Sequence, residues 1–360
     1  MKLGIVGLPN VGKSTLFNAL TGAGAETGAY TNAAAKPNLG SAKVPDARLD
    51  WLAEYYHPKK YSPASIDFVD IPGVSPGSGK GNATLQTIRQ TDALVHVVRC
   101  FENDELFVEN ADPRRDAEEL DTELILADME VVERRLDKAR KASKSGDKKS
   151  KRESEMCQAL LDHLSDGRPA RSFPFTEEDA DILQDGGLLT VKPVIYAANM
   201  SEQGMADYAG DPCYRSLAEV AAAQGAAVLP VAAKFEEDIA DMDPEEAALF
   251  MEELGLTERG LDRLIRTSYD LLGYISFLTA GEDDVHAWTI VRGTKAPRAA
   301  GKIHTDIERG FIRAEIVAFT DLKECGSMAA AREKGLLRLE GKDYVMQDGD
   351  VTNFRFNVTK

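Results

Sequence analysis

Apolar residues run unbroken through Leu3-Gly4-Ile5-Val6 at the start of the chain, with no polar alternation. That pattern marks a strand buried on both faces. Similar runs recur at Ala93–Cys100, Lys192–Asn199 and Ala226–Lys234, and a shorter strand ends at Asp70 in Ser65-Ile66-Asp67-Phe68-Val69-Asp70. Helical signals fall between them. Thr15 to Leu20 opens one helix, and Ala83 to Gln90 reads as another. Asp46 is placed as an N-cap before Leu49, Leu52 and Tyr55, which recur at helical spacing. Trp51 and Tyr55 on that helix read as a packed face rather than a ligand-facing pair. Ser216 to Gln224 and residues 244–272 read as helices too, with Pro244 near a first turn and Leu261, Leu264 and Ile265 facing inward. Buried strands alternating with helices predict an α/β fold around a parallel sheet.

Two stretches break this rhythm. From Asp116 the apolar residues Leu120, Leu124, Ala127, Val131 and Leu136 sit three and four apart in a highly charged run, and Met156, Leu160, Leu161 and Leu164 follow the same rule. They predict a long antiparallel helical hairpin turning at Ser145-Gly146-Asp147. Its tip carries Lys141, Lys144, Lys148, Lys149, Lys151 and Arg152. Such a tip is either a solvated surface or a patch for RNA phosphate. Beyond Ser276, strands at 285–291, 311–317, 343–346 and 351–358, with helices near 297–303 and 321–334, predict a small α+β grasp-like domain. The expected division is 1–115 and 187–275 for the α/β domain, 116–186 for the insertion and 276–360 for the last domain.

Composition adds limits. The 360 residues suffice for two or three cores, and a formal charge of −17 confines any RNA contact to a local patch. No run of 18 apolar residues exists, and Cys100, Cys157, Cys213 and Cys325 form no C-x-x-C pair, so the expectation is a reducing cytoplasm with no membrane span.

The chemistry concentrates after the first strand. Gly7 to Ser14 matches G-x-x-x-x-G-K-[ST], flanked by a strand and a helix. In that arrangement backbone N–H groups cradle phosphate, Lys13 reaches the β- and γ-phosphates and Ser14 ligates Mg²⁺. Asp70-Ile71-Pro72-Gly73 supplies D-x-x-G at the end of a strand. Asp70 can hold a water on the metal, and the Gly73 N–H can sense the γ-phosphate. Asn199 ends a late strand, where such folds read the base. His96, within a buried strand, reads as an interior histidine rather than a base.

Over its whole length the sequence resembles the YchF/Obg-like ATPases, called ribosome-binding ATPases in bacteria. The resemblance rests on Gly7-Leu8-Pro9-Asn10-Val11-Gly12-Lys13-Ser14-Thr15, Phe68-Val69-Asp70-Ile71, His96-Val97-Val98-Arg99-Cys100-Phe101-Glu102, Phe311-Ile312-Arg313-Ala314-Glu315, Leu339-Glu340-Gly341-Lys342-Asp343-Tyr344 and Gln347-Asp348-Gly349-Asp350. It implies a P-loop NTPase domain of the translation-type GTPase class with a helical insertion and a C-terminal TGS domain. It also implies ATP as substrate and the ribosome as partner. Asn10, Val11, Gly12, Lys13, Ser14 and Thr15 would bind the nucleotide, and Ser14 and Asp70 the magnesium. Where guanine-specific relatives have N-K-x-D, this chain has Asn199-Met200-Ser201-Glu202. The resemblance assigns base contact to the backbone at Met200, places Asn199 at the ring or as a brace on the P-loop, and makes Glu202 the substitute for the guanine-reading aspartate.

Lys13, Asn10 and Gly73 are the expected catalytic set, with Asn10 similar to the asparagine that helps potassium-dependent relatives hold K⁺. Val74 follows D-x-x-G where a polar residue would orient water, so slow hydrolysis is expected. Two departures stand out: Ala34 occupies the place of the magnesium-binding threonine, and the second loop is short, at Lys80-Gly81-Asn82. The alternatives are a GTPase of the same fold and a nucleotide-gated ribosome- or RNA-binding module with negligible hydrolysis.

Overall fold

The computed structural model describes residues 2–24, 37–74, 83–102, 110–144, 147–179, 187–240 and 242–357. The Ala34 loop, the Lys80-Gly81-Asn82 loop and the Ser145-Gly146 turn lie outside the described residues. The chain divides into two units, one of residues 1–41 and 67–264 and the other of 42–66 and 265–360. The hairpin therefore belongs with the α/β unit, and segment 42–66, expected within the first domain, belongs with the C-terminal part.

The first seven strands are β1 (Lys2–Val6), β2 (Asn38–Lys43), β3 (Lys60–Ser62), β4 (Ser65–Asp70), β5 (Ala93–Cys100), β6 (Val194–Met200) and β7 (Ala227–Val231). All but β3 form one sheet in the order β2-β4-β1-β5-β6-β7. The pairs β1–β4, β1–β5, β5–β6 and β6–β7 are parallel. β5 and β6 are buried at every residue, as their unbroken apolar runs require. Registers Ile5↔Asp70, Val6↔His96 and Arg99↔Asn199 bring the carboxyl ends of the central strands to one edge, where open α/β sheets bind ligands. β7 stops at Val231, short of the expected Lys234, and a helix starts at Ala233. The expected helix over 244–272 is two, Pro244–Glu253 and Gly260–Leu271, interrupted where Gly255 takes φ 67°.

The helices of the N-terminal half are α1 (Lys13–Thr21), α2 (Ala47–Tyr56), α3 (Ala83–Arg89), α4 (Pro113–Ser143) and α5 (Lys148–Ser165). α4 starts three residues before the expected Asp116, because the Asp112 side chain accepts from Arg115 N and Pro113 opens the first turn. Asp147 caps α5 by accepting from Lys149 N and Ser150 N. Val132, Leu136, Cys157, Leu160 and Leu164 are buried between the two helices, while Met156 and Leu161, expected inward, are half-buried at the margin.

Near the sheet the hairpin is held by buried carboxylates. Asp128, fully buried, accepts from Leu189 N at 2.7 Å, Thr190 N at 2.8 Å and Thr190 Oγ1 at 2.6 Å. Asp121 accepts from the Tyr196 hydroxyl on β6 at 2.9 Å and from Gln224 Nε2 at 2.7 Å, with Arg171 3.6 Å away. No described helix is long and apolar enough to cross a membrane.

The second unit adds β8 (Tyr274–Ala280), β9 (Asp284–Val291), β10 (Phe311–Ala318), β11 (Arg338–Glu340) and β12 (Asp350–Phe356). With β3 they form a sheet ordered β11-β10-β12-β8-β9-β3. β3 runs parallel to β9 with Lys60 opposite Asp284. α2 packs here: Trp51 stacks on Tyr55 at 5.3 Å and meets Phe319 edge-on at 5.6 Å, so the packed-face reading of Trp51 holds. Arg48 joins Asp46 to Asp348 at 2.8 and 2.7 Å. Residues 343–346 are not a strand: Val345 makes a single antiparallel bridge to Lys295, and β11 forms the edge instead. The Tyr344 hydroxyl and the Gln347 N–H both donate to the buried Asp350 and hold the connecting loop in place of a ladder. The helical stretch expected at 321–334 is broken into Phe319–Cys325 and Met328–Glu333 at Gly326, which takes φ 77°.

Candidate nucleotide site

The loop between β1 and α1 is shaped by close contacts that exclude side chains. A Cβ on Gly7 would lie 2.5 Å from the Val97 carbonyl oxygen. Gly12 caps α1 in the left-handed region at φ 92°, and a Cβ there would overlap the Asn199 amide nitrogen. Asn10 also takes a left-handed conformation, φ 63°, which asparagine tolerates better than most residues.

Asn199 explains the crowding at Gly12. Its Nδ2 donates to Val11 O at 2.9 Å and its Oδ1 accepts from Ala233 N at 3.0 Å. Of its two expected roles, the side chain performs the brace. It joins the phosphate loop to the start of the helix after β7, with both ends of the amide occupied and the residue 5 % exposed. Ala233 was hidden from sequence reasoning inside a run read as strand. The signal available was the amphipathic stretch Phe235-Glu236-Glu237-Asp238-Ile239, which is helical.

Lys13 is 7 % exposed and donates to Leu8 O at 2.6 Å across its own loop. Burial lowers its pKa to about 8, with the negative charge of Asp70 working in the opposite direction. An ammonium so poorly hydrated is held ready for an anion. Ser14 Oγ donates to Asp70 Oδ2 at 2.8 Å, so the P-loop hydroxyl and the β4 carboxylate already meet. Two hard oxygen donors in contact suit a hard divalent cation that takes its remaining ligands from phosphate and water. Among the described residues no cluster of three or more His, Cys, Asp or Glu could hold a metal alone.

Gly73 follows closely. A Cβ there would stand 3.0 Å from the Pro9 backbone, and Val74 N donates to Gly7 O at 3.3 Å, latching the D-x-x-G turn onto the P-loop. The Val74 side chain is 1 % exposed and offers no group to orient water. Thr15 lies half-buried in the first turn of α1. Met200 is buried at the end of β6, and Glu202 is exposed in the first turn of a four-residue helix capped by Ser201. His96 is buried 5.1 Å from the Tyr196 ring, and burial lowers its pKa to about 4, which keeps it neutral.

Comparison with known proteins bears on these residues. The chain is 50% identical over 361 residues to the ribosome-binding ATPase YchF of Bacillus subtilis, covering 99% of each protein. It belongs to the YchF/Obg-like family of P-loop NTPases. Obg-like ATPase 1 of Oryza sativa subsp. japonica is 42% identical, over 100% of this chain and 93% of the relative. The structure of the Schizosaccharomyces pombe YchF GTPase superposes with a TM-score of 0.86 at 36% identity, covering 99% of this chain and 97% of that one. A family model described as a 50S ribosome-binding GTPase matches residues 2–135. The model YchF-GTPase_C, described as a protein of unknown function, matches residues 274–357. Membership establishes the family's arrangement of α/β domain, helical insertion and TGS-like module, and a P-loop NTPase activity on a bound nucleotide.

Proposed function

We propose that this member of the family takes ATP with Mg²⁺, hydrolyses it slowly and associates with the ribosome. The observation that carries the enzymatic part is the contact between Ser14 and Asp70 beside the buried Lys13. Lys13 would neutralise the β- and γ-phosphates, Ser14 and the water held by Asp70 would take Mg²⁺, and Gly73 would face the γ-phosphate. Mg²⁺ supplies charge neutralisation of the phosphates. Asn10, in its left-handed conformation, is the residue proposed for K⁺. The buried Val74 side chain supports slow turnover, because water then lacks a polar partner from this position.

The base preference rests on Glu202, whose longer arm takes its carboxylate away from the place of a guanine-reading aspartate, and on the absence of lysine at Met200. Guanine needs an acceptor facing its N1–H and exocyclic amine, whereas adenine presents an acceptor at N1. The bacterial relatives' names say ATPase, which favours the same base. The name of the fission-yeast structure says GTPase, so a GTPase is the second reading. Calorimetry with ADP and GDP decides between them. Tighter ADP binding is expected, and GDP binding as tight or tighter would overturn the adenine assignment.

For the ribosome, the relatives' names and the hairpin tip support one another. Lys141, Lys144, Lys148 and Lys149 are exposed; Lys149 lies in the field of Asp147, and Lys141, Lys144 and Lys148 form no ion pair among the described residues. Lys151 lies 4.0 Å from Glu155, and Arg152 is held by Glu178 and Asp179. These exposed lysines are the proposed contact with ribosomal RNA phosphate, at a site in the cytoplasm where ribosomes work.

A further inference from the structure

β12 is fully paired along one edge only. Its ladder with β10 runs from Phe311↔Phe356 to Ala318↔Asp350. On its other edge, among the described residues, β8 is in parallel register at Leu278↔Val351 and no further. β8 ends at Ala280 while β12 continues to Phe356. Where they part, a cleft of about 690 Å³ opens, lined by residues 279–284 and 351–356. That size falls in the range of ordinary ligand pockets, roughly 300–1,000 Å³.

The cleft has half-buried apolar walls of two origins. Ile303 and Ile307 come from the helical stretch between β9 and β10, and Met328 and Leu337 from the stretch between β10 and β11. A strand placed along β12 would send alternate side chains to opposite faces of the sheet, where both kinds of wall are available. Its backbone would pair with the part of β12 beyond Val351, where the described residues show no register with β8, as in recognition by strand addition.

The charges in the cleft are not balanced. Arg355 and Arg332 both lie against Glu315, at 3.0 and 3.7 Å, and largely satisfy that carboxylate. At the other end Glu282 and Asp283 are exposed, and among the described residues the well-solvated Lys59 is the cation that pairs with Asp283. This end repels phosphate and attracts cationic side chains.

We propose that the cleft between β8 and β12 binds an extended peptide with a short apolar centre and a basic flank on the side of Glu282 and Asp283, added as a strand to β12. The proposal rests on the ribosome reading above and names its partner here as protein rather than RNA.

The test titrates the full chain into fluorescein-labelled peptides Lys-Lys-Val-Ile-Val-Ser-Ser and Ser-Ser-Val-Ile-Val-Lys-Lys, which place the lysines at either end, and follows the anisotropy of the tighter one. The expected result is saturable binding, at least tenfold tighter than for the same peptide with proline at its centre or with glutamate for lysine. Ala329→Trp, at an exposed position lining the cleft, is expected to weaken binding tenfold or more, with Ala329→Ser as the control for folding. Glu282→Lys is expected to weaken it about threefold and to reduce its salt dependence. Equal binding of the proline peptide, or no effect of Ala329→Trp, overturns the proposal. Displacement of the peptide by oligouridine that itself fails to bind Ala329→Trp assigns the cleft to RNA and also overturns it. Ribosome co-sedimentation, read on the same samples, separates the two readings: a chain that binds the peptide but does not pellet keeps the cleft and loses the ribosome.

Discussion

Lys13 and the lysines of the hairpin tip present the same ammonium group under opposite conditions. Lys13 is buried against its own loop, and desolvation brings its pKa to about 8. Lys144, Lys148 and Lys149 stand in water beyond the last buried residues of the hairpin. A buried cation can meet phosphate with little reorganisation and little screening, but its own protonation becomes the weak point. An exposed cation is screened by salt, so its pull on phosphate depends on ionic strength. The comparison yields two kinds of anion site on one acidic chain, one governed by pH and the other by salt.

The largest expected effect tests the buried site. Lys13→Ala should abolish measurable hydrolysis and weaken ATP binding by about 2–5 kcal/mol, since the phosphates lose a desolvated charge partner. Unchanged turnover and affinity in the folded variant would remove the P-loop assignment.

Next comes the tip. Replacing Lys144, Lys148, Lys149 and Lys151 together with glutamate should weaken ribosome co-sedimentation about tenfold or more at ~0.1 M salt. The log–log salt slope should fall by nearly one unit for each lysine that no longer neutralises a phosphate. ATP binding to the same variant should be unchanged. Wild-type pelleting across a salt series would reduce the tip to a solvated surface.

The pH profile separates the two sites further. The unfolded chain holds the Lys13 proton up to about 10.5, whereas burial in the folded protein brings its release down to about 8. Between these values the unfolded state binds more protons, so the Lys13 contribution to folding stability rises with pH while its capacity to bind phosphate falls. ATP affinity should therefore drop about tenfold per pH unit above 8. A pH-independent ATP affinity from pH 7 to 9.5 would show that Lys13 does not titrate there.

The smallest effect is on stability. The quadruple tip variant should change the unfolding free energy in urea by less than about 0.5 kcal/mol, because exposed charges contribute little to folding. A larger loss would mean that those lysines are structural.

Much of the site was legible because its chemistry is local. Gly7, Gly12, Lys13 and Ser14 sit in one motif, and Asp70 ends a strand whose pattern is plain. The brace from Asn199 to Val11 and Ala233 could be offered only as one of two roles, since it joins three distant stretches through single hydrogen bonds. In the second unit the misread pieces are short. Lys60–Ser62 has no alternating pattern and becomes a strand only because β9 lies beside it. Asp343-Tyr344-Val345-Met346 has strand-like composition, but Tyr344 and the Gln347 backbone are drawn to the Asp350 carboxylate. The hairpin's buried aspartates were equally hidden, because an acidic residue on a helix ordinarily faces water.

The membership of residues 42–66 in the second unit bears on how the protein is made. On an emerging chain, Ala47–Tyr56 and Lys60–Ser62 leave the ribosome long before Asp284–Val291, the strand that β3 must join. Trp51 therefore lacks its Phe319 partner until the C-terminal part has been synthesised, and the second unit can close only then. A truncation ending near residue 275 would leave that early segment as an orphaned sticky surface and would report on aggregation as much as on loss of the C-terminal module.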